Sequence, residues 1–199
     1  MTPAPFAAPR RIVAGMNADG RSYFARVEEV GEVDYPVNYP RHAAKPEKDI
    51  EIYRIWGADQ LPIELPDDGT RAPLQDAPSA DETHLAMRRS SPHPPVADGF
   101  RITMLKMHPG RGSSPERSYH LHWHDTFDCQ WLAAGQLAVS MDDGSEVIMQ
   151  PGDALLQYGT NHAWRVVGDE VAVIYLFMLG ARRVGPTPPI ECRVVARPG

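Results

Sequence analysis

The chain has 199 residues, 42% of them hydrophobic, and carries a net charge of −6. That length and apolar content suffice for one domain with a sizeable core, while 20 prolines and 16 glycines speak against a helical bundle and for short strands joined by turns. The acidic balance, without a basic run, excludes nucleic acid as the expected partner, and the two cysteines, Cys129 and Cys192, form no disulfide framework and fit a cytoplasmic location.

Residues 1–99 read as an extended N-terminal arm. Met1 to Arg11 holds Pro3, Pro5 and Pro9 and no apolar signal-peptide core, so secretion is not expected. Arg11 to Gly15 and Ser22 to Arg26 flank Asn17-Ala18-Asp19-Gly20 and predict a hairpin turned by Asp-Gly. Val27 to Asp49 is polar and broken by prolines. Ile50 to Trp56 alternates and predicts a strand capped by Gly57. Leu61 to Ala97 is a long, charged, proline-rich loop of the kind that serves as a lid or a linker. Its His84, Arg88, Arg89 and His93, like His42 before it, suit a solvated surface better than a pocket.

From Phe100 the pattern changes. Phe100 to Met107, Phe127 to Ala133, Gln136 to Met141, Ser145 to Met149, Ala154 to Tyr158, His162 to Val167 and Val171 to Leu179 are short apolar or alternating runs separated by turn residues. Such spacing predicts a β-sandwich or barrel over 100–180. The longest apolar run, Val171 to Gly180, has the length of a buried strand and not of a membrane span, so no membrane is expected. The tail, 181–199, is proline-rich and ends in a segment, Ile190 to Val195, suited to an edge strand or to pairing with a neighbouring subunit.

The chemistry concentrates in His120-Leu121-His122-Trp123-His124-Asp125-Thr126-Phe127-Asp128. On a strand, residues two apart share a face, so His120, His122 and His124 are expected in one row. Imidazole nitrogens with one carboxylate oxygen suit a divalent first-row metal, and a set with open positions suits Fe(II) or another Lewis-acidic ion. A His-x-His pair alone fits exposed or hydrogen-bonded histidines equally well. Gly135, Pro151-Gly152-Asp153 and Gly159-Thr160-Asn161-His162-Ala163-Trp164 downstream favour the metal.

Together these residues resemble the two motifs of the cupin superfamily. The first falls on His122, His124, Asp128 and Gly135, with aspartate in place of the usual glutamate. The second falls on Gly144, Pro151, Gly152 and His162, with one extra residue before Pro151 and a longer gap to the histidine. The likeness spans about Phe100 to Leu179. The opening of the arm is also similar to that of small single-domain bacterial cupins, whose ligand set is often incomplete. The resemblance implies an all-β, cupin-type double-stranded β-helix, that is, a jelly-roll barrel, and a homodimer. It also implies one divalent metal ion per chain on His122, His124, Asp128 and His162, with Fe placed before Mn, Zn or Ni.

Asp128 is one methylene shorter than glutamate, so it either ligates from a closer strand or orients a histidine. His120 falls outside the ligand set, at the pocket or the rim, and is the candidate catalytic base. Gln130 and Leu132 share the face of Asp128, and Trp164 that of His162. Gln130, Tyr158 and Trp164 are therefore expected to line a substrate pocket, though each residue type also serves as plain core. Arg117, Tyr119 and Arg165 suit either anchors for an anionic substrate or surface charges. Cys129 should point away from Asp128. The function expected is a metal-dependent enzyme acting on a small organic or aromatic acid by Fe(II)-type dioxygenase chemistry. The alternatives are a metal-dependent decarboxylase, isomerase or lyase, or a non-enzymatic small-molecule-binding cupin.

Overall fold

The computed structural model describes residues 7–32, 50–58, 61, 98–109 and 121–186. Two ribbon strands, β1 (Arg10–Met16) and β2 (Ser22–Glu29), precede β3 (Ile50–Ala58). The rest of the chain supplies β4 (Phe100–Met107), β5 (Thr126–Ala134), β6 (Gln136–Met141), β7 (Glu146–Met149), β8 (Ala154–Tyr158), β9 (His162–Val167) and β10 (Ala172–Gly180). One sheet has the order β3-β4-β10-β5-β8 and a second the order β7-β6-β9, all antiparallel. His122 adds a bridge to His162 on the free side of β9, with both backbone bonds made, at 3.0 and 2.9 Å.

This order identifies the architecture. Starting from β4 and taking the His122 segment as the second strand, one sheet carries strands 1-8-3-6 and the other 2-7-4-5. That is the arrangement of a double Greek key wound into a jelly roll. β3 extends the first sheet at its edge by pairing with β4. No helix among the described residues is long and apolar enough to cross a membrane.

Period-two alternation builds the interior. Along β5, Thr126, Asp128, Gln130 and Leu132 are buried, while Trp131 and Ala133 are exposed and Cys129 is half-buried on the outer face. The apolar core lies between the sheets, where Leu105, Met107, Leu132, Ile174 and Leu176 meet Leu137, Val139, Met149 and Val166. Each large aliphatic side chain there contributes about 1.5–3 kcal/mol by leaving water. The outer face of the first sheet carries a smaller core of Tyr53, Met104 and Val173, onto which Val30 at the end of the ribbon packs.

Three local expectations change. The first ribbon turns through five residues rather than on a tight Asp-Gly, because Met16 pairs with Ser22 and the Asn17 side chain accepts bonds from the Asp19 and Arg21 amides. Gly57 does not cap β3 but lies inside it. A Cβ there would stand 2.8 Å from the Phe100 carbonyl and the Arg101 side chain, so close packing, not a strand end, requires glycine. The histidine segment is not a regular strand either, since pairing is confined to the His122 bridge.

Candidate metal centre

Three histidines gather where the two sheets open. His122 stands 4.4 Å from His162 and 5.3 Å from His124 between ring centroids. His124 and His162 are buried, and His122 is half-buried. The backbone bridge explains the first contact. It sets residues 122 and 162 directly opposite each other on adjacent strands, where side chains on one face meet. His124 is turned in by the chain that leads to β5, and His120 lies outside the described residues.

His162 has a defined tautomer. Its Nδ1 is 2.9 Å from the Thr160 carbonyl oxygen, which only accepts, so Nδ1 carries the proton and Nε2 keeps its lone pair. Burial pushes its pKa well below the ordinary histidine value, and the neighbouring His122 and His124 add to this, against the Thr160 bond. A neutral ring with an anchored Nδ1 and a lone pair on Nε2 is what a metal site asks of a histidine.

Asp128 faces the same interior from β5. It is 4% exposed, and its Oδ1 has no hydrogen-bond partner among the described residues. Burial pushes its pKa up to about 6, and the Thr126 hydroxyl pulls the other way without reaching hydrogen-bond alignment. An orphaned buried carboxylate oxygen normally has an explanation, and an ion is one of them. The residues therefore fit a divalent cation in kind: imidazoles and one carboxylate. Among the described residues, however, no three His, Cys, Asp or Glu side chains already converge on one metal-sized point. The three imidazoles are grouped and the Asp128 carboxylate faces the same interior, without being closed around a centre.

One layer deeper lie Gln130 on β5 and Trp164 on β9. Gln130 is fully buried, and its amide nitrogen donates to the Gln157 side-chain oxygen at 2.7 Å. Gln157 passes the chain on to the Thr160 hydroxyl at 3.3 Å, beside the carbonyl that anchors His162. The Trp164 ring lies 5.5 Å from His162, on the same face of β9. Tyr158 does not belong here. It is 73% exposed on the outer face of β8, packed on Phe127, because Leu155 and Gln157 take the inward positions of that strand. Arg165 is paired outside with Glu146 at 2.8 Å, and Arg117 and Tyr119 lie outside the described residues.

Two residues of the site lie outside the sequence motifs. Gln157 was detectable by parity, since it stands two residues after the inward Leu155. Arg183, beyond β10, had no local signal. Its guanidinium bonds Asp125 at 2.6 Å and the Gly159 carbonyl at 3.0 Å, and lies over the Trp123 ring at 4.6 Å. It thereby ties the turn carrying His124 to the turn before His162. Gly159 has φ +62°, and a Cβ there would fall 3.0 Å from the His124 carbonyl and would displace that guanidinium, so the left-handed backbone favours glycine.

The chain matches no family model and no curated protein. Among solved structures it is similar to KdgF from Halomonas sp., with TM-score 0.39, 15% identity and 70% of this chain covering 86% of that one. It is similar also to ethanolamine utilization protein Q from Salmonella typhimurium, with TM-score 0.40, 9% identity and 89% of this chain covering 100% of that one. A Cupin 2 conserved barrel domain protein from Salinispora arenicola gives TM-score 0.35 and 20% identity, with 41% of this chain covering 64% of that one. The chain spans only 38% of the DMSP lyase DddQ from Ruegeria pomeroyi, at TM-score 0.35 and 21% identity, with 41% of this chain aligned. At this distance the likenesses add nothing to the strand order. That order by itself defines a jelly-roll barrel.

Proposed function

We propose that this barrel is a metal-dependent enzyme acting on a small organic or aromatic acid, with one divalent metal ion held by His122, His124, Asp128 and His162. The observation that carries this reading is His162. Its Nδ1 is committed to the Thr160 carbonyl, so its Nε2 is left as a lone-pair donor in a buried cluster with two further imidazoles. When bound, the metal would supply Lewis acidity, and Fe(II) would add oxygenase chemistry, the reaction class we favour over decarboxylation, isomerisation or elimination.

The chain's own groups do the rest. Thr160 and Gln157 hold the His162 ring in place. Asp128, its carboxyl pushed up to about 6 by burial, is mostly ionised at neutral pH and so offers a carboxylate oxygen to a cation. The buried mouth keeps bulk water from a bound acid.

The test is the metal content of untagged protein purified without oxygen, for wild type and for His162→Ala. Near-stoichiometric iron, absent from the variant, supports the oxygenase reading and leads to oxygen-uptake assays with small acids. Zinc, manganese or nickel moves the reaction to the other classes. A wild type that holds no metal and takes none up on reconstitution overturns the proposal.

A further inference from the structure

The layer beneath the metal donors holds two buried polar atoms that the proposed metal does not use. Gln130 Oε1 is a buried acceptor and Trp164 Nε1 a buried donor, and neither has a hydrogen-bond partner among the described residues. Leaving such a group unmade is costly, so unpaired polar atoms in a native interior call for an occupant.

Their placement is matched. On β5 the inward side chains run Asp128, Gln130, Leu132, and on β9 they run His162, Trp164, Val166. Asp128 and His162 lie at the mouth, whereas Leu132 and Val166 belong to the apolar core, so Gln130 and Trp164 occupy the step between on opposing sheets. Gln130 does not turn freely. Its amide nitrogen is tied to Gln157, itself tied to Thr160, which leaves the buried amide oxygen as the end without a partner among the described residues.

We propose that Gln130 and Trp164 form the ligand-selecting layer of the site. Gln130 Oε1 accepts a hydrogen bond from a hydroxyl of the ligand, and Trp164 Nε1 donates one to a ligand oxygen. The ligand class is therefore a small hydroxy acid in preference to its deoxy counterpart. This deepens, and rests on, the reading of the barrel mouth as a site for a small acid. A site built to bond a hydroxyl discriminates strongly against the analogue that lacks it, because the buried partner is then left unmade.

The experiment measures binding of lactate, propanoate and 2-methoxypropanoate to zinc-loaded and to metal-free protein by calorimetry and ligand-observed NMR, with zinc affinity determined separately. Wild type is expected to bind lactate about tenfold or more tighter than the other two acids. Gln130→Met, similar in length but without the acceptor, is expected to bring lactate to the level of propanoate while zinc affinity is kept. Trp164→Phe is expected to weaken all three acids by a similar factor. Circular dichroism of both variants establishes that they fold.

Equal affinity for lactate and propanoate in wild type that does bind zinc overturns the selecting layer and leaves the metal reading standing. Tighter binding of 2-methoxypropanoate than of lactate overturns it too, since that result means the Gln130–Gln157 pair is reversed and presents a donor. Failure to bind zinc or any of the acids overturns this inference together with the reading beneath it.

Discussion

Two carboxylates lie on opposite faces of the same five-stranded sheet, and their surroundings treat them in opposite ways. Glu51, on the outer face, is surrounded by donors: Lys106 at 3.1 Å, His108 at 2.8 Å and the Tyr53 hydroxyl. Burial alone would raise its pKa, but these hydrogen bonds overcome it and hold the group at about 2. Asp128, on the inner face, has an oxygen with no partner and is pushed up to about 6. The first charge is finished, and belongs to the packing of β3 on β4. The second is unfinished within the described chain, and on the function proposed above a bound cation would offset the cost of burying it. Structural and functional charges can thus be told apart by whether the fold already satisfies them.

The largest effects should separate the two faces completely. His162→Ala is expected to lower zinc affinity by at least about a hundredfold, more than the loss usual for groups that only orient a ligand. Glu51→Ala is expected to leave zinc affinity unchanged while costing roughly 2–3 kcal/mol in urea denaturation, because Lys106 then remains largely buried without its partner. Equal loss of zinc binding in both variants would break the distinction between the faces.

The pH dependence of chelator-treated protein sharpens the comparison, because the two groups act with opposite sign. Folded Asp128 holds its proton to about pH 6, whereas the unfolded group releases it near 3.8. Its contribution is therefore fully present below about pH 4 and lost as pH rises through 6, a change on the order of 3 kcal/mol. Asp128→Asn should abolish that decline and make the metal-free protein more stable than wild type above pH 6. Glu51 runs the other way: its contribution is present above pH 4.5 and lost as pH falls towards 2. Denaturation midpoints from pH 3 to pH 8 for wild type, Asp128→Asn and Glu51→Gln would expose both slopes. A variant of Asp128 with an unchanged slope would show that the carboxylate is not held neutral.

The barrel was legible in the sequence because its strands are short, alternate cleanly and end at turn residues. β8 and β9 have the bounds expected of Ala154 to Tyr158 and His162 to Val167. The apposition of His122 with His162, and the inward placement of Gln130 and Trp164 on opposite sheets, follow from the same period of two once the sheet order is known. What the sequence did not carry was long-range. Nothing local announces that Arg183 reaches back 58 positions to Asp125, or that Gly57 is required by the backbone of a strand distant in the chain. Of the row expected from His120 to His124, His120 lies outside the described residues, and of residues 121–124 only His122 forms a β-bridge, so no strand is formed there. Alternation sets which way side chains point, but pairing decides whether a strand exists.

The smallest effects test that parity at one strand. Tyr158 and Gln157 are neighbours, yet Tyr158 faces solvent and Gln157 the interior. Tyr158→Ala should cost about 0.5–1 kcal/mol for the ring contact with Phe127, 4.8 Å between centroids, and leave lactate and zinc binding within about twofold of wild type. Gln157→Leu keeps the bulk but releases both the Gln130 amide and the Thr160 hydroxyl. It should weaken lactate binding severalfold and leave the stacking pair on the outer face intact. If Tyr158→Ala weakened lactate as much as Gln157→Leu did, the ligand would have to reach the outer face of β8, and the barrel interior would lose its claim to be the site.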